Sequence, residues 1–501
     1  MNTQGASALP RALIVMALWP AASLMLAGCE LNRTADRELS AVLEHYQRGA
    51  TDEAGGYARA GRASPAASQP TTQQTAGAPA SAPKAPQALR EYILVALREN
   101  PDIKAAEEAA RAAAVRVPQA TALPDPMLET KTLPTPVRTA DGDNYFNLGV
   151  SFTLPVPEKL DRAGRVALQE ARMAVEELQR TRLQVIADVK RAYFRLYVID
   201  TTVATDLENQ DLLRGLIDVA RSQVAAGRRT QDDVLRAEVE FSTLEARLIE
   251  LRQQRTSVVA LLNQLLNRRP QTAVPTPEPF DARAVDTRVE ELFALAVEVN
   301  PDVRRLKEQI ERERQAVRLA RLAYWPDFKL GFEWMPMEPR PAFVPRPNPL
   351  TGMRPEVSRL SEEGMDSWAI TVGLNLPVWF QKIEAGIREA RSRLLAAEHA
   401  YAAAQNRVRF QVEDAYARVH AQQELVALFA NTIIPEARQA YEVSREDYRG
   451  GTTSFLYVID NWQKWLSFNI QYHTALGELE RSVADLEEAL GQSLNTAESG
   501  T

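Results

Sequence analysis

The sequence contains a single cysteine, Cys29, so no disulfide can close within the chain and no multi-thiolate metal site can be built. Histidine is nearly as scarce: His45, His399, His420 and His473 stand apart, and none belongs to an HExxH or another close ligand cluster. No Gly-rich phosphate loop, dinucleotide fingerprint or nucleophile elbow is visible, and the carboxylates are scattered over charged helix faces where solvation and i to i+4 pairing explain them. The expectation is therefore no enzyme, no cofactor and no resident metal. A basic surplus is missing too. The 59 Lys and Arg against 66 Asp and Glu leave a formal charge of -7, which argues against a nucleic-acid partner.

Long apolar runs are also lacking. "ALIVMALWPAASLMLA", after Arg11, is sixteen residues with Pro20 inside it, too short for a comfortable membrane helix and shaped like a secretory signal. It ends in "LAGC", Leu26 to Cys29, which resembles the lipobox of bacterial lipoproteins. Cleavage there would remove 1–28 and leave Cys29 as a lipidated first residue, and Glu30 beside it is compatible with sorting to the outer membrane. The stretch to residue 86 is rich in Gly, Ala, Ser, Thr, Gln and Pro and reads as a flexible spacer, because it has too little apolar surface to offset the entropy of ordering.

What the chain does have is helical periodicity, twice over. Asn100, Pro101 and Asp102 recur as Asn300, Pro301 and Asp302; "LP" at 154 and 155 recurs at 376 and 377; Val189, Ala192, Tyr193 and Gly227 recur as Val412, Ala415, Tyr416 and Gly450. The offset grows slowly, as loop insertions would make it, so the pattern reads as a duplicated unit: 87–269, a Pro-rich linker over 270–286, and 287–490, with a tail over 491–501. Each unit reads as helix, two strands, a very long helix, a turn and a further helix. The spacing predicts helices over 87–118, 158–225, 231–267, 287–324, 380–448 and 453–490, with strands over 126–133, 144–154, 326–334 and 368–376.

The helix over 158–225 carries two heptad series. Leu168, Val175, Val189, Leu196 and Val203 form one, broken by Arg182, and Ala171, Leu178, Val185, Ala192 and Ile199 form the other. At 1.5 Å per residue it spans on the order of 100 Å, so only lateral packing on other long helices can bury the stripe. The helices before the strands and after the turn together nearly match its length, which points to an elongated coiled-coil body.

The strands are two-faced. Trp368, Ile370, Val372, Leu374 and Leu376 alternate with Ala369, Thr371, Gly373 and Asn375; Phe146, Leu148, Val150, Phe152 and Leu154 alternate with Tyr145, Asn147, Gly149, Ser151 and Thr153. Phe328, Leu330, Phe332 and Trp334 alternate with Asp327, Lys329, Gly331 and Glu333, a charged second face that a dry core would not accept. Two readings fit: a soluble sheet with one face on helices, or strands of a transmembrane barrel. The secretory signal and the lack of another domain to cover the sheet favour the barrel. Four strands cannot enclose a wet lumen and open edges are intolerable in lipid, so a barrel would have to be shared between chains.

The ordered duplication, with "ALPDPML" at 122 to 128, "VARSQVAAGRRTQDDVLRAEVEFSTLEARL" at 219 to 248 and "YRGGTTSFLYVID" at 448 to 460, resembles the TolC-like outer membrane factors of tripartite efflux systems over about residues 87 to 490. Within that family the resemblance is to lipidated members serving resistance-nodulation-division pumps, and in particular to the heavy-metal, copper-silver branch. It implies a mixed fold, an all-α coiled-coil barrel continued by a transmembrane β-barrel, in a homotrimer whose three chains share twelve strands. It also implies outer membrane lipid, a periplasmic adaptor and an inner membrane efflux transporter as partners, with passive export as the function. A lipid-anchored periplasmic coiled-coil adaptor or spacer is the alternative.

Two tips follow from the resemblance. Gly227, Arg228 and Thr230 in the first half, and Gly450, Gly451, Thr452, Thr453 and Ser454 in the second, would meet the adaptor, although as sequence they are also ordinary helix-turn chemistry, with Thr230 a possible N-cap and Asp233 three residues later. Tyr457 and Asp460 match the constricting positions of the family, with tyrosine where an aspartate is typical. Three Asp460 carboxylates would form a cation-binding ring, or each would merely solvate its helix. Asp232 and Asp233 are secondary ring candidates. Between the last two strands, 335–365 holds seven prolines with Met335, Met337, Met353 and Met365; it reads as a long exterior loop, and methionines so scattered are not a soft-metal site.

Overall fold

The computed structural model describes residues 87–139, 141–227, 230–280, 282, 285, 287–339 and 364–494. The signal segment, Cys29, the spacer, Arg228, Met353 and the tail from 495 lie outside the described residues. In chain order the elements are α1 (Gln87–Glu99), α2 (Pro101–Ala114), α3 (Arg116–Thr121), β1 (Met127–Arg138), β2 (Asp143–Leu154), α4 (Pro157–Ala225), α5 (Gln231–Leu265), α6 (Val289–Val299), α7 (Pro301–Arg321), β3 (Phe328–Met335), β4 (Ser367–Leu374), α8 (Phe380–Leu428), α9 (Ile434–Gly450) and α10 (Phe455–Leu490). A 3-10 turn over Leu322–Tyr324 follows α7, and a π turn over Phe429–Ile433 joins α8 to α9.

The order matches the sequence reading, and the differences have local causes. The helices expected over 87–118 and 287–324 are each broken at the asparagine before Pro101 or Pro301, because a residue preceding proline is pushed out of the helical region. The expected helix over 380–448 is interrupted by the π turn just ahead of Pro435, whose missing N–H and ring displace the regular ladder. β1 runs past 133 to Arg138, but its pairing with β2 slips between Thr132 and Val137, where Pro134 and Pro136 stand.

One compact unit comprises Ala112–Ala171 and Gln309–Glu398. Its centre is an antiparallel sheet in the order β1-β2-β3-β4. Lys159, near the start of α4, fastens helix to sheet: its ammonium donates to Asp327 Oδ1 at 2.7 Å and to the Trp325 carbonyl at 2.8 Å. Val117, Ala167 and Leu168 form a small core beneath it.

The other unit comprises Arg172–Glu308 with the described residues of 44–111 and 399–501, and is helical. Of the heptad residues, Val175, Leu178, Val185, Val189, Ala192, Leu196 and Ile199 are buried here. One core cluster packs Leu89, Ala96 and Ile103 against Val185, Val189, Ala192, Leu196 and Leu262. A second uses the matched positions Leu292, Ala296, Val303, Val408, Val412, Ala415, Val419 and Leu486. Three described residues of the Pro-rich stretch take part in these cores: Val274 joins the first, Phe280 lies 5.1 Å from the Phe194 ring, and Val285 joins the second.

Asn100 and Asn300 do the same work in the two halves. Asn100 Oδ1 accepts from the Asp102 and Ile103 amides at 2.8 and 3.3 Å, capping α2, while its Nδ2 donates to the Leu265 carbonyl at 3.0 Å. Asn300 Oδ1 accepts from the Asp302 and Val303 amides at 2.9 and 3.4 Å, and Nδ2 donates to the Ala489 carbonyl at 2.9 Å. Each asparagine therefore starts one helix and holds the end of another. Gly491 is required at the second junction, since its φ of 86° favours glycine and a Cβ there would lie 2.7 Å from Asn300 Cα.

Candidate functional site

In the sheet, the alternation read from sequence becomes continuous cross-strand rows. Leu128, Val150, Phe332 and Ile370 stand in one row; Leu148, Trp334 and Trp368 in another; Phe152, Leu330 and Val372 in a third; Leu154, Phe328 and Leu374 in a fourth. This face is open: Leu128 is 68% exposed, Phe332 50%, Ile370 54% and Val372 71%. An apolar face of this extent is far from what a protein keeps in water, and it marks a contact with lipid or protein. From the Phe328 row to the Trp334 row the face is about 20 Å tall at roughly 3.4 Å per residue. Below it, at the strand-to-helix junctions, Tyr324, Trp325, Trp379 and Phe380 are also exposed, and the Tyr324 and Phe380 rings stack at 6.4 Å.

The opposite face is polar and hydrogen-bonded. Asn147 Nδ2 donates to Glu333 Oε1 at 2.6 Å, the Ser151 hydroxyl donates to Glu129 Oε1 at 3.5 Å, and the Lys329 ammonium lies 3.6 Å from Glu129 Oε1. Buried polar Asn147 and Ser151 on one side, with exposed leucine and phenylalanine on the other, invert the ordinary soluble arrangement.

In the helical unit Gly227 and Gly451, at the two turns singled out in the sequence, both have left-handed backbone. Gly451, at φ 83°, ends α9: its amide donates to the Tyr448 carbonyl at 3.1 Å and the Thr452 amide to the Asp447 carbonyl at 2.9 Å. Gly227, at φ 70°, follows α4. Gly450 is the last residue of α9, and Thr452 and Thr453 form the turn. Thr230 and Ser454 occupy the N-cap positions of α5 and α10, but neither side chain makes a capping bond. The Asp233 carboxylate, three residues after Thr230, has a tertiary partner: Tyr448 OH donates to its Oδ2 at 3.2 Å. That bond joins the α4–α5 turn to the α9–α10 turn. It was invisible in the sequence, where neither residue's neighbourhood points at the other.

Tyr457 is 62% exposed in the single chain, and Asp460, one turn on, is exposed and accepts from the Lys464 ammonium at 2.7 Å. Asp232 pairs with Arg236 at 2.8 Å. Beneath the turns lies an aromatic core: Tyr448 packs on Phe455 at 5.2 Å, Trp462 is buried and donates to Asn209 Oδ1 at 2.9 Å, and Tyr441 stacks on Trp465 at 5.5 Å. Farther along α10, burial holds the His473 imidazole below its ordinary pKa, and its Nδ1 stands 3.4 Å from Tyr197 OH. Ion pairs clamp the helices together, among them buried Asp206 with the half-buried Arg247, and the buried pair Lys190 and Glu487.

Among the described residues no group of three or more His, Cys, Asp or Glu side chains is placed to hold a metal ion, and no helix is long and apolar enough to cross a membrane.

The family described as "Outer membrane efflux protein" matches residues 93–268 and 292–492. The chain is similar to the cobalt-zinc-cadmium resistance protein CzcC of Cupriavidus metallidurans, 20% identical over 412 residues that cover 81% of this chain and 90% of that one. Its fold is similar to that of the outer membrane protein VceC of Vibrio cholerae, with TM-score 0.66 and 19% identity over 81% of this chain and 97% of that one. A membrane protein from Pseudomonas aeruginosa gives TM-score 0.69 and 18% identity over 85% and 97% of the two chains. The family match sets aside the periplasmic adaptor, the alternative left open by the sequence. The chain therefore belongs to the outer membrane efflux protein family, and its work is that of a TolC-type outer membrane export channel, transport without covalent chemistry.

Proposed function

We propose that the channel is completed by three copies of this chain, each supplying one four-stranded sheet to a common twelve-stranded barrel in the outer membrane. The observation that carries this reading is the sheet itself, with an apolar face in the open, a hydrogen-bonded polar face, and edge strands β1 and β4 each paired on one side only. In lipid an unpaired edge leaves backbone groups unsatisfied, and β4 of one chain against β1 of the next removes every edge. Pro134 and Pro136 fall in the part of β1 where regular pairing has already lapsed, so they leave the Met127–Thr132 edge able to pair. The exposed aromatic set at Tyr324, Trp325, Trp379 and Phe380 suits the membrane-water boundary. Leu395 and Phe410 on α8 with Val239 and Ile249 on α5, all exposed in one chain, supply apolar seams between neighbouring copies.

The helices then form the periplasmic conduit, built from two repeats over 87–269 and 287–490. The turns at Gly227, Arg228 and Thr230 and at Gly450, Gly451, Thr452, Thr453 and Ser454 receive a periplasmic adaptor, which hands over cargo from an inner membrane transporter. Asp460 and Tyr457 form the constriction, Cys29 carries the lipid anchor, and similarity to CzcC supports a heavy-metal system of the resistance-nodulation-division type as the setting. Conductance of the purified full-length oligomer in a planar bilayer tests this, with Asp460→Ala beside it. The expected result is a cation-preferring channel that divalent ions block, and a mutant with larger conductance and less block. Identical traces from both proteins would remove Asp460 from the constriction, and a chain that never conducts would sink the shared barrel.

A further inference from the structure

The exposed Tyr324 and Phe380 rings stack at 6.4 Å, where α7 leads into β3 and β4 leads into α8. Trp325 and Trp379, next to them in the chain, are exposed too. What lies one turn farther from the sheet on each segment is basic. Arg321 is three residues before Tyr324, and side chains so spaced in a 3-10 turn eclipse one another. Lys382 is three residues after Trp379, whose carbonyl accepts the Lys382 amide at 3.0 Å, so the two share a face of the first turn of α8. Arg318 and Arg314 continue the Arg321 stripe back along α7 at helical spacing.

Arg318, Arg321 and Lys382 are exposed, and among the described residues no side chain pairs with any of them, whereas Arg314 lies 3.4 Å from Glu311. The helix dipole accounts for arginine in the last turn of α7, but it opposes a cation in the first turn of α8, where Lys382 stands. What Arg321 and Lys382 share is height. Each is about 5–6 Å beyond an exposed aromatic ring, at about 1.5 Å per residue in an α-helix and about 2 Å in a 3-10 turn. With those rings at the hydrocarbon boundary, this is the depth of the headgroup layer, which adds about 5–8 Å to each side of a bilayer. Arg318, about 10 Å out, falls at the outer edge of that layer, and Arg314 lies beyond it.

We propose that Arg321 and Lys382, on the two sides of the Tyr324–Phe380 stack, hold the headgroup of an anionic phospholipid in the leaflet nearest the helices. The guanidinium offers a planar fork to two phosphate oxygens and the ammonium a point charge. The aromatic rings, with exposed Leu376 and Val378 next to Trp379, lie along the acyl chains. A lipid fits better than an acidic protein segment because these cations border an open apolar face about 20 Å tall rather than a groove. Two unpaired cations select a headgroup of net negative charge over a zwitterionic one carrying the same phosphate.

The inference rests on the barrel reading, since it needs lipid against the sheet, and one experiment separates the two. The purified full-length oligomer is reconstituted in bilayers containing spin-labelled phosphatidylglycerol or phosphatidylcholine. Electron paramagnetic resonance then reads how much of each lipid is slowed against the protein. A preference of about fivefold for phosphatidylglycerol is expected at low ionic strength, and it should vanish in about 1 M salt. Arg321→Gln and Lys382→Gln should each lower the preference about two- to threefold, Arg321→Lys should keep most of it, and Arg314→Gln should leave it unchanged. All of these side chains are exposed, so the oligomer should persist in every variant. Slowed lipid without a headgroup preference, or with one that neither glutamine variant at Arg321 or Lys382 lowers, overturns the site and leaves the barrel standing. Absence of slowed lipid of either kind overturns the barrel and the site with it.

Discussion

Tyr448, in the last turn of α9, donates its hydroxyl hydrogen to Oδ2 of Asp233, in the first turn of α5, at 3.2 Å. The bond couples two turns that are 215 residues apart in sequence. A hydrogen bond to a charged acceptor contributes about 1.5–3 kcal/mol, so removing it shifts an equilibrium between joined and separated turns about tenfold or more. Tyr448→Phe keeps the ring on Phe455, and the fold should survive. The expected outcome is a higher mean conductance in planar bilayers than the parent protein shows. Traces that overlay would mean that the bond does not restrain the turns.

Asn100→Ala and Asn300→Ala should each lower stability by about 2–3 kcal/mol, from a lost helix cap and a lost bond to a helix-end carbonyl. The two sites share no hydrogen-bond partner, so the double mutant should lose the sum within a few tenths. Asparagine to aspartate separates the two roles: it keeps the capping oxygen but cannot donate to the Leu265 or Ala489 carbonyl. Denaturation of the detergent-solubilised protein should rank Ala below Asp below the parent at both positions.

These asparagines show how much of the fold was legible. The repeated "NPD" was visible as a signal, and so were the long helix, the strand faces and the turns, because each is a local pattern of period or punctuation. What Asn100 reaches was not visible: Leu265 belongs to a helix whose end is fixed by packing. The same holds for the site. Gly451 announced its turn, whereas the Tyr448–Asp233 bond depends on how two hairpins lie side by side. Thr230 looked like a capping residue and occupies the N-cap, yet its side chain makes no capping bond, and the Asp233 carboxylate is used instead in a tertiary bond that no local pattern announces.

His473 gives a pH dependence with a definite sign. Burial holds its pKa below the ordinary value of 6.5, so the folded protein prefers the neutral ring. The unfolded chain therefore binds the proton first as pH falls. Stability from this group is complete above pH 6.5 and drains away on acidification until the pH passes the depressed folded value. Tyr197 beside it stays neutral, since burial pushes its ionisation upward. Melting temperature followed from pH 8 to pH 4.5 should fall on the acid side, and His473→Gln should flatten that part of the curve. An unaltered slope would assign the acid sensitivity to the carboxylates.

The two faces of the sheet make the last and most direct prediction. Phe332 lies mid-row on the apolar face between Val150 and Ile370, and Thr371 stands on the polar face of the neighbouring strand; both are exposed in one chain. If both faced water, lysine at either would be tolerated alike. With lipid against Phe332, Phe332→Lys puts an ammonium near the middle of the hydrocarbon at about 2–4 kcal/mol per chain, while Thr371→Lys extends into an aqueous bore at little cost. The first should lose the carbonate-resistant membrane fraction and the heat-stable oligomer, and the second should keep both and shift ion preference toward anions. Equal behaviour of the two lysines would show that the sheet's faces do not divide oil from water, and the barrel would have to be abandoned with them.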